Sequence, residues 1–366
     1  MSLNRACLVV GLSLGGLLTG CGSDPASATS GSGSGGAGGH PSTTTTGSAV
    51  GGAGATSTGS ALTTTGGDTS TGTGVSTGSG GPSLGGCALF PADNPWNTDI
   101  SAFPVDPKSS AYIASIGADV GLHPDFGAEY LGAPNGIPYV VVPANQPNVG
   151  VTFVDSPDES DPGPYPIPPD APIEGGPQGD GDRHVLVIQQ GSCTLFETFS
   201  SFPKGATWEA GSGAVWHLDK NEIRKDTWTS ADAAGLAILP GLVRYDEAVE
   251  LGEIKHALRM TVSAAQKAYI YPASHSDGSA GKDPNAPPMG LRLRLHASFD
   301  IATFSPPIQV VLRAMKKYGL FVADSGSDWF ISGAPDSKWN DDMLHELGQV
   351  HGSDFEAVTT GAIHPY

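Results

Sequence analysis

A tract of low complexity occupies residues 22–86, where the chain consists almost entirely of glycine, serine, threonine and alanine. This composition buries too little apolar surface to offset the entropy lost on ordering, so it predicts a flexible tether. The expected organisation is therefore a linker over residues 21–86 and a folded part over residues 87–366. The folded part is long enough for a sizeable core and suits one β-rich extracellular domain.

The N-terminal segment, residues 1–20, has the pattern of a secretory signal. Arg5 provides the positive charge, and the apolar stretch 8–18 is followed by small residues. The motif LTGC at residues 18–21 resembles the lipobox of bacterial lipoproteins. The resemblance implies export, acylation of Cys21, and a lipid anchor on the cell envelope with the membrane as a partner. An ordinary signal peptide followed by a chance cysteine is the alternative.

The number of cysteines predicts one disulfide bond in the folded part. Cys7 leaves with the signal, so Cys87 and Cys193 remain as an even pair in an oxidising location and predict a disulfide bond.

Residues 87–366 carry 17 of the 18 basic and 35 of the 37 acidic residues, a net charge of −18. Such a surface repels a polyanion, so nucleic acid is excluded as a partner.

One segment predicts a β-hairpin with a defined register. Residues 183–190 and 194–199 are rich in β-branched and aliphatic side chains, and Gly191-Ser192 suits the turn between them. The turn predicts the facing pairs Gln190–Cys193, Ile188–Leu195 and Leu186–Glu197. This register puts His184, Glu197 and Cys193 on one face, with Glu197 a diagonal neighbour of His184.

The remaining pattern indicates a mainly β domain, sandwich or jelly-roll-like, with one long helix and a few short ones. Strand pairs are expected between residues 137–142 and 151–154, and between residues 256–262 and 268–271. Helices are expected at residues 109–116, 230–234, 306–318 and 341–347. Residues 155–181, dense in prolines and acids, predict a long irregular loop of the kind that is often functional or mobile.

The hairpin carries the first group of candidate catalytic residues: Asp182, His184 and Glu197. A carboxylate beside an imidazole forms a general acid/base pair or part of a metal site. The alternative is a fully hydrogen-bonded His–Glu pair at a sheet edge.

Further candidates lie on later strands. His217 and Asp219 share one strand face and Trp216 the other; the alternative here is a core tryptophan with a capping aspartate. His256 and Arg259 have opposite strand parity, so one of them faces the core and must be paired there. Such a buried charge suggests a polar cleft between sheets.

A row of basic residues on one strand predicts an anion site. Arg292, Arg294 and His296 alternate with leucines, which suits a carboxylate or sulfate on a substrate or, as an equal alternative, internal acids such as Asp246 and Glu247. We expect Asp246, Tyr245 and Trp216 to contribute to substrate binding with this row.

No resident metal or cofactor is expected, although calcium or another divalent metal stays open. The segment from His345 lacks the second histidine of a zinc metalloprotease helix, because Gln349 stands in its place. The acids of the long loop have the chemistry of calcium ligands, but a solvated loop is the favoured interpretation. Those acids are Asp155, Asp158, Glu159 and Asp161.

Four blocks resemble bacterial secreted proteins that have no assigned activity: PGLVRYDE, HALRMTV, PPMGLRLRL and WFISGAPDSKW. With the lipobox and tether, they make the chain similar to surface lipoproteins, which implies action on an extracellular polymer. The leading hypothesis is a carbohydrate-active enzyme, a polysaccharide glycosidase or lyase, with a cleft of histidine, carboxylate and arginine. The alternatives are a non-catalytic carbohydrate-binding or adhesion module, and a metal-dependent hydrolase using His184, His217 and His256.

The lipobox yields a direct test. Replacement Cys21→Ala removes the thiol that acylation needs, so the protein is expected to leave the membrane fraction for the soluble fraction. Fractionation followed by immunoblotting measures this, and Cys7→Ala is the matched control. A Cys21→Ala protein that stays bound to membranes contradicts the lipid anchor.

Overall fold

The computed structural model describes residues 80–366, and this part is mainly β, as the sequence predicts. Its strands are β1 (Ser83–Leu84), β2 (Cys87–Ala88), β3 (His123–Asp125), β4 (Tyr139–Val142), β5 (Val151–Phe153), β6 (Val185–Gln189), β7 (Thr194–Phe199), β8 (Phe202–Lys204), β9 (Thr207–Ala210), β10 (Ser212–His217), β11 (Leu258–Val262), β12 (Ala268–Ile270), β13 (Arg292–Leu295), β14 (Leu320–Ser325), β15 (Phe330–Ser332), β16 (Phe355–Val358) and β17 (Ile363–Pro365).

The helices are short apart from one. They are α1 (Ser109–Ile116), α2 (Pro306–Lys317) and α3 (Asp341–Leu344), with a π-helical turn at Asp246–Leu251. Single 3₁₀ turns lie at Pro95–Asn97, Pro157–Glu159, Leu239–Gly241, His345–Gln349 and Gly352–Asp354. The positions of α1, α2 and α3 agree with the sequence prediction.

Two larger sheets organise the domain. The first has four strands in the order β10-β7-β6-β4, and the second has six in the order β16-β13-β14-β11-β15-β3. Three strands form a third sheet, β5-β9-β8, and β1-β2 and β12-β17 are two-stranded. Four pairs are parallel: β4 with β6, β5 with β9, β11 with β14, and β15 with β3.

Apolar side chains from both larger sheets meet in one core, which is the layered packing of a sandwich. Leu186, Leu195 and Trp216 come from the four-stranded sheet, and Leu293 and Val322 from the six-stranded sheet. The opposite face of the four-stranded sheet covers a second apolar cluster with the long loop and β9. That cluster includes Val185, Val187, Tyr165, Ile167 and Trp208.

The hairpin of β6 and β7 has the predicted register. Ile188 pairs with Leu195 and Leu186 with Glu197. The expected pair of Gln190 with Cys193 does not form, because Gln190 donates instead to Val142 O of β4 (2.9 Å). The hairpin loop is therefore wider than the predicted turn.

Two predicted strand pairings are wrong, and both errors have the same cause. Strand β5 pairs with β9, and β4 pairs in parallel with β6. Strand β11 lies between β14 and β15, whereas β12 pairs with β17. Neighbours in sequence were expected to pair, but parallel partners are joined by long crossovers that local patterns do not reveal.

The predicted helix at residues 230–234 is absent, and a turn takes its place. Ser230 Oγ donates to Leu236 O (2.6 Å) and to Asp232 O (3.1 Å), so the hydroxyl holds the backbone in a non-helical path. The predicted long loop over residues 155–181 is confirmed, with one 3₁₀ turn inside it.

The predicted signal, Cys21 and linker lie outside the described residues. Among residues 80–366, none of the helices combines the length and the apolar character needed to cross a bilayer.

The predicted disulfide is present between Cys87 and Cys193, with 5.4 Å between the Cα atoms. It joins β2 to the loop of the β6–β7 hairpin and closes a sequence separation of 106 residues. Closing so long a loop restricts the unfolded chain strongly.

Replacing both cysteines by serine should lower the free energy of unfolding by about 2–4 kcal/mol, because the unfolded chain regains its loop entropy. Urea unfolding of the isolated domain measures the change. Thiol labelling of the denatured, unreduced wild-type domain should find no free cysteine among residues 87–366; two labelled thiols would contradict the bond.

Candidate functional site

The largest cavity near predicted site residues has a volume of about 760 Å³ and lies between two loop segments. Residues 130–136 form one wall, and residues 174–182 form the other, with Asp125 from the end of β3. Four of the lining residues are acidic and none is basic; the acids are Asp125, Glu174, Asp180 and Asp182. This cavity is the candidate site.

The first wall is a tight turn with exposed apolar side chains. Tyr130 and Ala133 exchange backbone hydrogen bonds of 2.8 and 3.1 Å. Leu131 (φ +52°) and Gly132 (φ +86°) between them are both left-handed, which is the geometry of a type I′ turn. Tyr130 is 66 % exposed and Leu131 is 88 % exposed, so both are available at the rim of the cavity.

The second wall is wrapped around a buried guanidinium. Arg183 Nη1 donates to Gly179 O (2.6 Å) and Pro177 O (3.3 Å), while Nε donates to Ser201 O (3.1 Å). The group also stacks on Phe202, 4.4 Å from the ring centre. Arg183 thus binds the loop carbonyls that could otherwise coordinate a cation. The sequence patterns did not identify this arginine.

His184 stands behind the cavity and is buried. Its Nδ1 lies 2.6 Å from Glu174 Oε2 and its Nε2 lies 3.0 Å from Ala231 O. Both partners are acceptors, so both ring nitrogens carry protons. Burial alone would lower the pKa of His184, but the charge and hydrogen bond of Glu174 outweigh it and raise the pKa to about 9. His184 is therefore a cation at neutral pH and has no free lone pair for a general base.

Glu174 is the partner that this cation holds. Its backbone N–H donates to His184 O (3.0 Å), and its Oε2 accepts from His184 N (3.3 Å). Burial would raise the pKa of Glu174, but the charge and hydrogen bonds of His184 lower it. Its other oxygen, Oε1, accepts no hydrogen bond within the described part of the chain, so an ionised oxygen is free at the cavity.

The pKa values of Asp182 and Asp125 are shifted in the opposite direction to that of Glu174. Burial raises the pKa of Asp182, and the charges of Asp324 and Glu174 add to this against the opposing effect of His184. Burial and the charge of Glu174 likewise raise the pKa of Asp125. The pKa of Glu174 is thus lowered, whereas the pKa values of Asp182 and Asp125, whose side chains reach the surface, are raised.

Arg259 lies behind the same acids, where it cannot reach a ligand. Its Nη1 donates to Ser332 Oγ (2.7 Å), and Nη2 donates to Asp232 Oδ1 (2.7 Å) and Asp324 Oδ2 (3.2 Å). The pKa of fully buried Asp232 is raised well above its usual range by burial, an effect that Arg259 opposes and Asp324 increases. Arg259 therefore compensates buried negative charge close to the cavity.

The structure brings together three of the predicted catalytic residues, Asp182, His184 and Arg259. Sequence reasoning missed Glu174 and Asp125 as cavity residues. Glu174 lies within the long loop that composition marked as a candidate functional segment, and this was the signal that could have found it. Asp125 lies in a stretch whose sequence is typical of a turn, and it carries no such signal; the structure places it at the end of β3.

Glu197 does not belong to the cavity. It is fully buried, and it accepts hydrogen bonds from Ile238 N (3.0 Å), Leu239 N (2.9 Å) and Trp216 Nε1 (3.0 Å). Burial raises the pKa of Glu197, which these donors oppose. Its role is to hold the start of the 3₁₀ turn Leu239–Gly241 against the sheet, so the predicted pairing with His184 is wrong.

The strand end with His217 and Asp219 is also outside the cavity. Both residues are exposed, and His217 Nδ1 lies 2.8 Å from Glu222 Oε2. Trp216 is in the core, which agrees with the alternative of a core tryptophan rather than a substrate-binding one.

His256 forms a separate buried network. Its Nε2 lies 3.0 Å from Glu247 Oε2, and Glu247 Oε1 accepts from Arg244 Nη2 (2.8 Å). Arg244 Nε also donates to Asp246 (3.2 Å), so Asp246 is engaged internally. Both His256 and Arg259 are buried, although their opposite strand parity predicted that only one of them faces the core. The parity rule does not apply to His256, because this residue precedes the first residue of β11.

Tyr245 was predicted to bind substrate, but it packs on the edge of Trp339.

The predicted anion-binding row is wrong, because its arginines are bonded to the protein itself. Buried Arg292 donates to Tyr318 O (2.6 Å) and Pro95 O (2.9 Å), and burial lowers its pKa to about 9. Arg294 pairs with Glu356 and donates to the carbonyls of Ile100, Ser101 and Phe103. His296 Nδ1 lies 3.5 Å from the same Glu356. These cations organise irregular backbone and do not face the cavity.

Glu174, Asp182 and His184 offer atoms within 4.8 Å of one another, a spacing that suits a metal ion. A metal would need a neutral imidazole, however, and both nitrogens of His184 are donors here. His184, His217 and His256 bond to three different carboxylates, so they do not converge on one metal site. Of the acids considered for calcium, Asp161 and Glu159 are bonded to Arg224 and Thr229.

Comparison of the chain with protein-family models, with curated proteins and with solved structures found no match.

The cationic state of His184 has a measurable effect on stability. Because its folded pKa is raised from 6.5 to about 9, the pair contributes stability that is fully present below pH 6.5 and is lost as the pH rises through about 9. The size of this loss is on the order of 3 kcal/mol.

We expect His184→Gln to remove this pH dependence and to lower stability at pH 6, where the wild-type pair is intact. Urea unfolding at pH 6 and pH 9.5 measures both effects. The exposed His217→Gln is the matched control and should behave as wild type. A variant that loses the same stability between these pH values as wild type would show that His184 is not the titrating group.

Proposed function

We propose that the domain is a glycoside hydrolase that acts on an extracellular polysaccharide, with Glu174 as nucleophile and Asp182 as general acid and base. The observation that carries the proposal is the cavity wall in which Glu174, held by His184, and Asp182 offer carboxyl oxygens within 4.8 Å of each other. Glycosidases need this pair of carboxyl groups across the scissile bond.

The separation of the two groups favours a retaining mechanism. An oxygen of Glu174 and one of Asp182 lie no more than 4.8 Å apart, which is short of the spacing that admits a water molecule between the two groups in inverting enzymes. Asp182 donates its proton to the glycosidic oxygen as the bond to the anomeric carbon breaks. Glu174 Oε1 forms the glycosyl–enzyme bond, and Asp182 then takes a proton from the water that hydrolyses it.

The neighbouring groups support these roles. The His184 cation favours the ionised form of Glu174, and its two hydrogen bonds fix the carboxylate so that Oε2 is held and Oε1 is free. Asp125, without a side-chain hydrogen bond among the described residues, is available to a sugar hydroxyl. Tyr130 offers an exposed aromatic face at the rim, where a sugar ring can stack.

A lyase is a weaker candidate. It needs a cation to neutralise the uronate of its substrate, and none of the residues that line the cavity is basic. A non-catalytic binding module would use the same rim but does not need carboxyl groups with opposed pKa shifts.

The proposal includes the setting that the sequence suggests. An exported protein that is anchored through acylated Cys21 and carries a tether of residues 22–86 would hold the domain at the envelope within reach of polymers outside the cell.

Activity is tested on a panel of arabinan, xylan, β-glucan, mannan, chitosan and polygalacturonate, by release of reducing ends. Glu174→Gln and Asp182→Asn should each lower turnover about 10²–10⁴-fold. Asp182→Asn should keep the unfolding midpoint of wild type, whereas Glu174→Gln leaves the His184 cation without its partner and should lower the midpoint, so its turnover is measured at a temperature where circular dichroism shows the variant to be folded. The exposed Asp170→Asn, from the same loop but outside the cavity, is the control.

The alternatives to a retaining hydrolase each have a distinct readout. Wild-type binding of a polymer without any release of reducing ends would favour the binding module. Absorbance of an unsaturated uronate on polygalacturonate would favour the lyase. Retention of anomeric configuration in the first product, read by proton NMR, is expected, and inversion would exclude Glu174 as nucleophile.

A further inference from the structure

A second cavity, of about 430 Å³, adjoins the candidate site. Pro134 lines both cavities, so the two have one residue of their walls in common. The other residues of the second cavity are Ala128, Pro138, Tyr139, Pro172, Ala334, Pro335, Asp336 and Ser337.

The same two chain segments build both cavities. Residues 130–136 line the first, and the residues on either side of them, Ala128, Pro138 and Tyr139, line the second. Pro172 of the second cavity is two residues before Glu174 of the first. The two cavities therefore lie along the same two stretches of the chain.

The sheet fixes the second cavity relative to the proposed nucleophile. Tyr139 begins β4 and pairs in register with Leu186 of β6. Leu186 is two residues after His184, whose ring holds Glu174. The two cavities are thus attached to adjacent parallel strands, so their spacing does not depend on loop flexibility alone.

The two cavities differ in chemistry. The first is acidic, whereas the second is lined mainly by proline rings, alanine methyls and one tyrosine, which we call the proline platform: Ala128, Pro134, Pro138, Tyr139, Pro172, Ala334 and Pro335. Proline has no backbone N–H and presents an apolar ring. Such a surface suits the C–H faces of sugar rings better than a charged group, and Asp336 at its edge suits their hydroxyls.

We propose that the proline platform is a subsite for sugar residues beyond the scissile bond, so that the substrate is a chain spanning both cavities and not a single glycoside or a disaccharide. This inference rests on the proposed function and names the form of its substrate. Binding energy from residues remote from the reacting bond raises kcat/KM by holding the reacting sugar in place, so longer chains should react faster.

The test blocks the platform and leaves the first cavity untouched. Ser337 is exposed at the edge of the platform, so Ser337→Trp places an indole in the second cavity without disturbing the core. Ser110→Trp, on the exposed face of α1 and outside both cavities, is the matched control. The substrates are oligosaccharides of two to seven units from whichever panel polymer is cleaved, and the aryl glycoside of the same sugar.

For wild type we expect kcat/KM to rise at least about tenfold with chain length, which corresponds to about 1.4 kcal/mol. Ser337→Trp should abolish this rise and leave the aryl glycoside within about twofold, whereas Ser110→Trp should behave as wild type on every substrate. Binding of the polymer to the inactive Glu174→Gln protein, measured by calorimetry, should weaken with Ser337→Trp added.

The outcomes separate the two proposals. Cleavage with no dependence on chain length, or a rise that Ser337→Trp leaves intact, overturns the subsite while the hydrolase stands. Binding of the polymer that weakens with Ser337→Trp, but with no turnover in wild type, overturns the hydrolase and retains the platform as a glycan surface. Absence of both turnover and binding on the whole panel overturns both.

Discussion

The buried pair of His184 and Glu174 is the interaction on which the candidate site depends. The 2.6 Å contact between His184 Nδ1 and Glu174 Oε2 connects the long loop to the residue that precedes β6. Two further hydrogen bonds join the same residues, from His184 N to Glu174 Oε2 and from Glu174 N to His184 O. Removing either member would leave the other charge buried without compensation, which is strongly destabilising. The pair therefore fixes both the position of the cavity wall and the ionisation of the proposed nucleophile.

Buried cations recur throughout the domain, and each is bonded to internal acceptors. Arg183 holds the carbonyls of the cavity loop, Arg259 compensates Asp232 and Asp324, and Arg292 binds carbonyls at the edge of the six-stranded sheet. In a domain of net charge −18 these arginines organise irregular backbone and buried acids. Three acids of the cavity, Asp125, Asp180 and Asp182, form no ion pair among the described residues, and this negative charge favours a neutral sugar over a uronate as the ligand.

The sequence identified part of this site, and the errors have physical explanations. Asp182, His184 and Arg259 were found because a carboxylate beside an imidazole, and a charge on an apolar strand, are rare patterns. Glu174 was not found, because it meets His184 only when ten residues of loop close back on the strand. Glu197 was assigned to the site from strand parity. Parity specifies the face of the sheet on which a side chain lies, but it does not reveal the backbone N–H groups that bind the carboxylate there.

By itself the sequence determined the mainly β class, the register of the β6–β7 hairpin, helices α1 and α2, and the Cys87–Cys193 bond. Each of these follows from short-range periodicity, turn chemistry or an even cysteine pair. The tertiary structure alone decided that β4 joins β6 in parallel and that the three candidate histidines bond to three different carboxylates. The parallel pairing joins strands that are distant in the chain, and the histidine–carboxylate contacts, though they span ten residues or fewer, depend on the paths of irregular loops that local patterns do not specify. For the two buried histidines, burial and the need to pair each charge decide which residues meet.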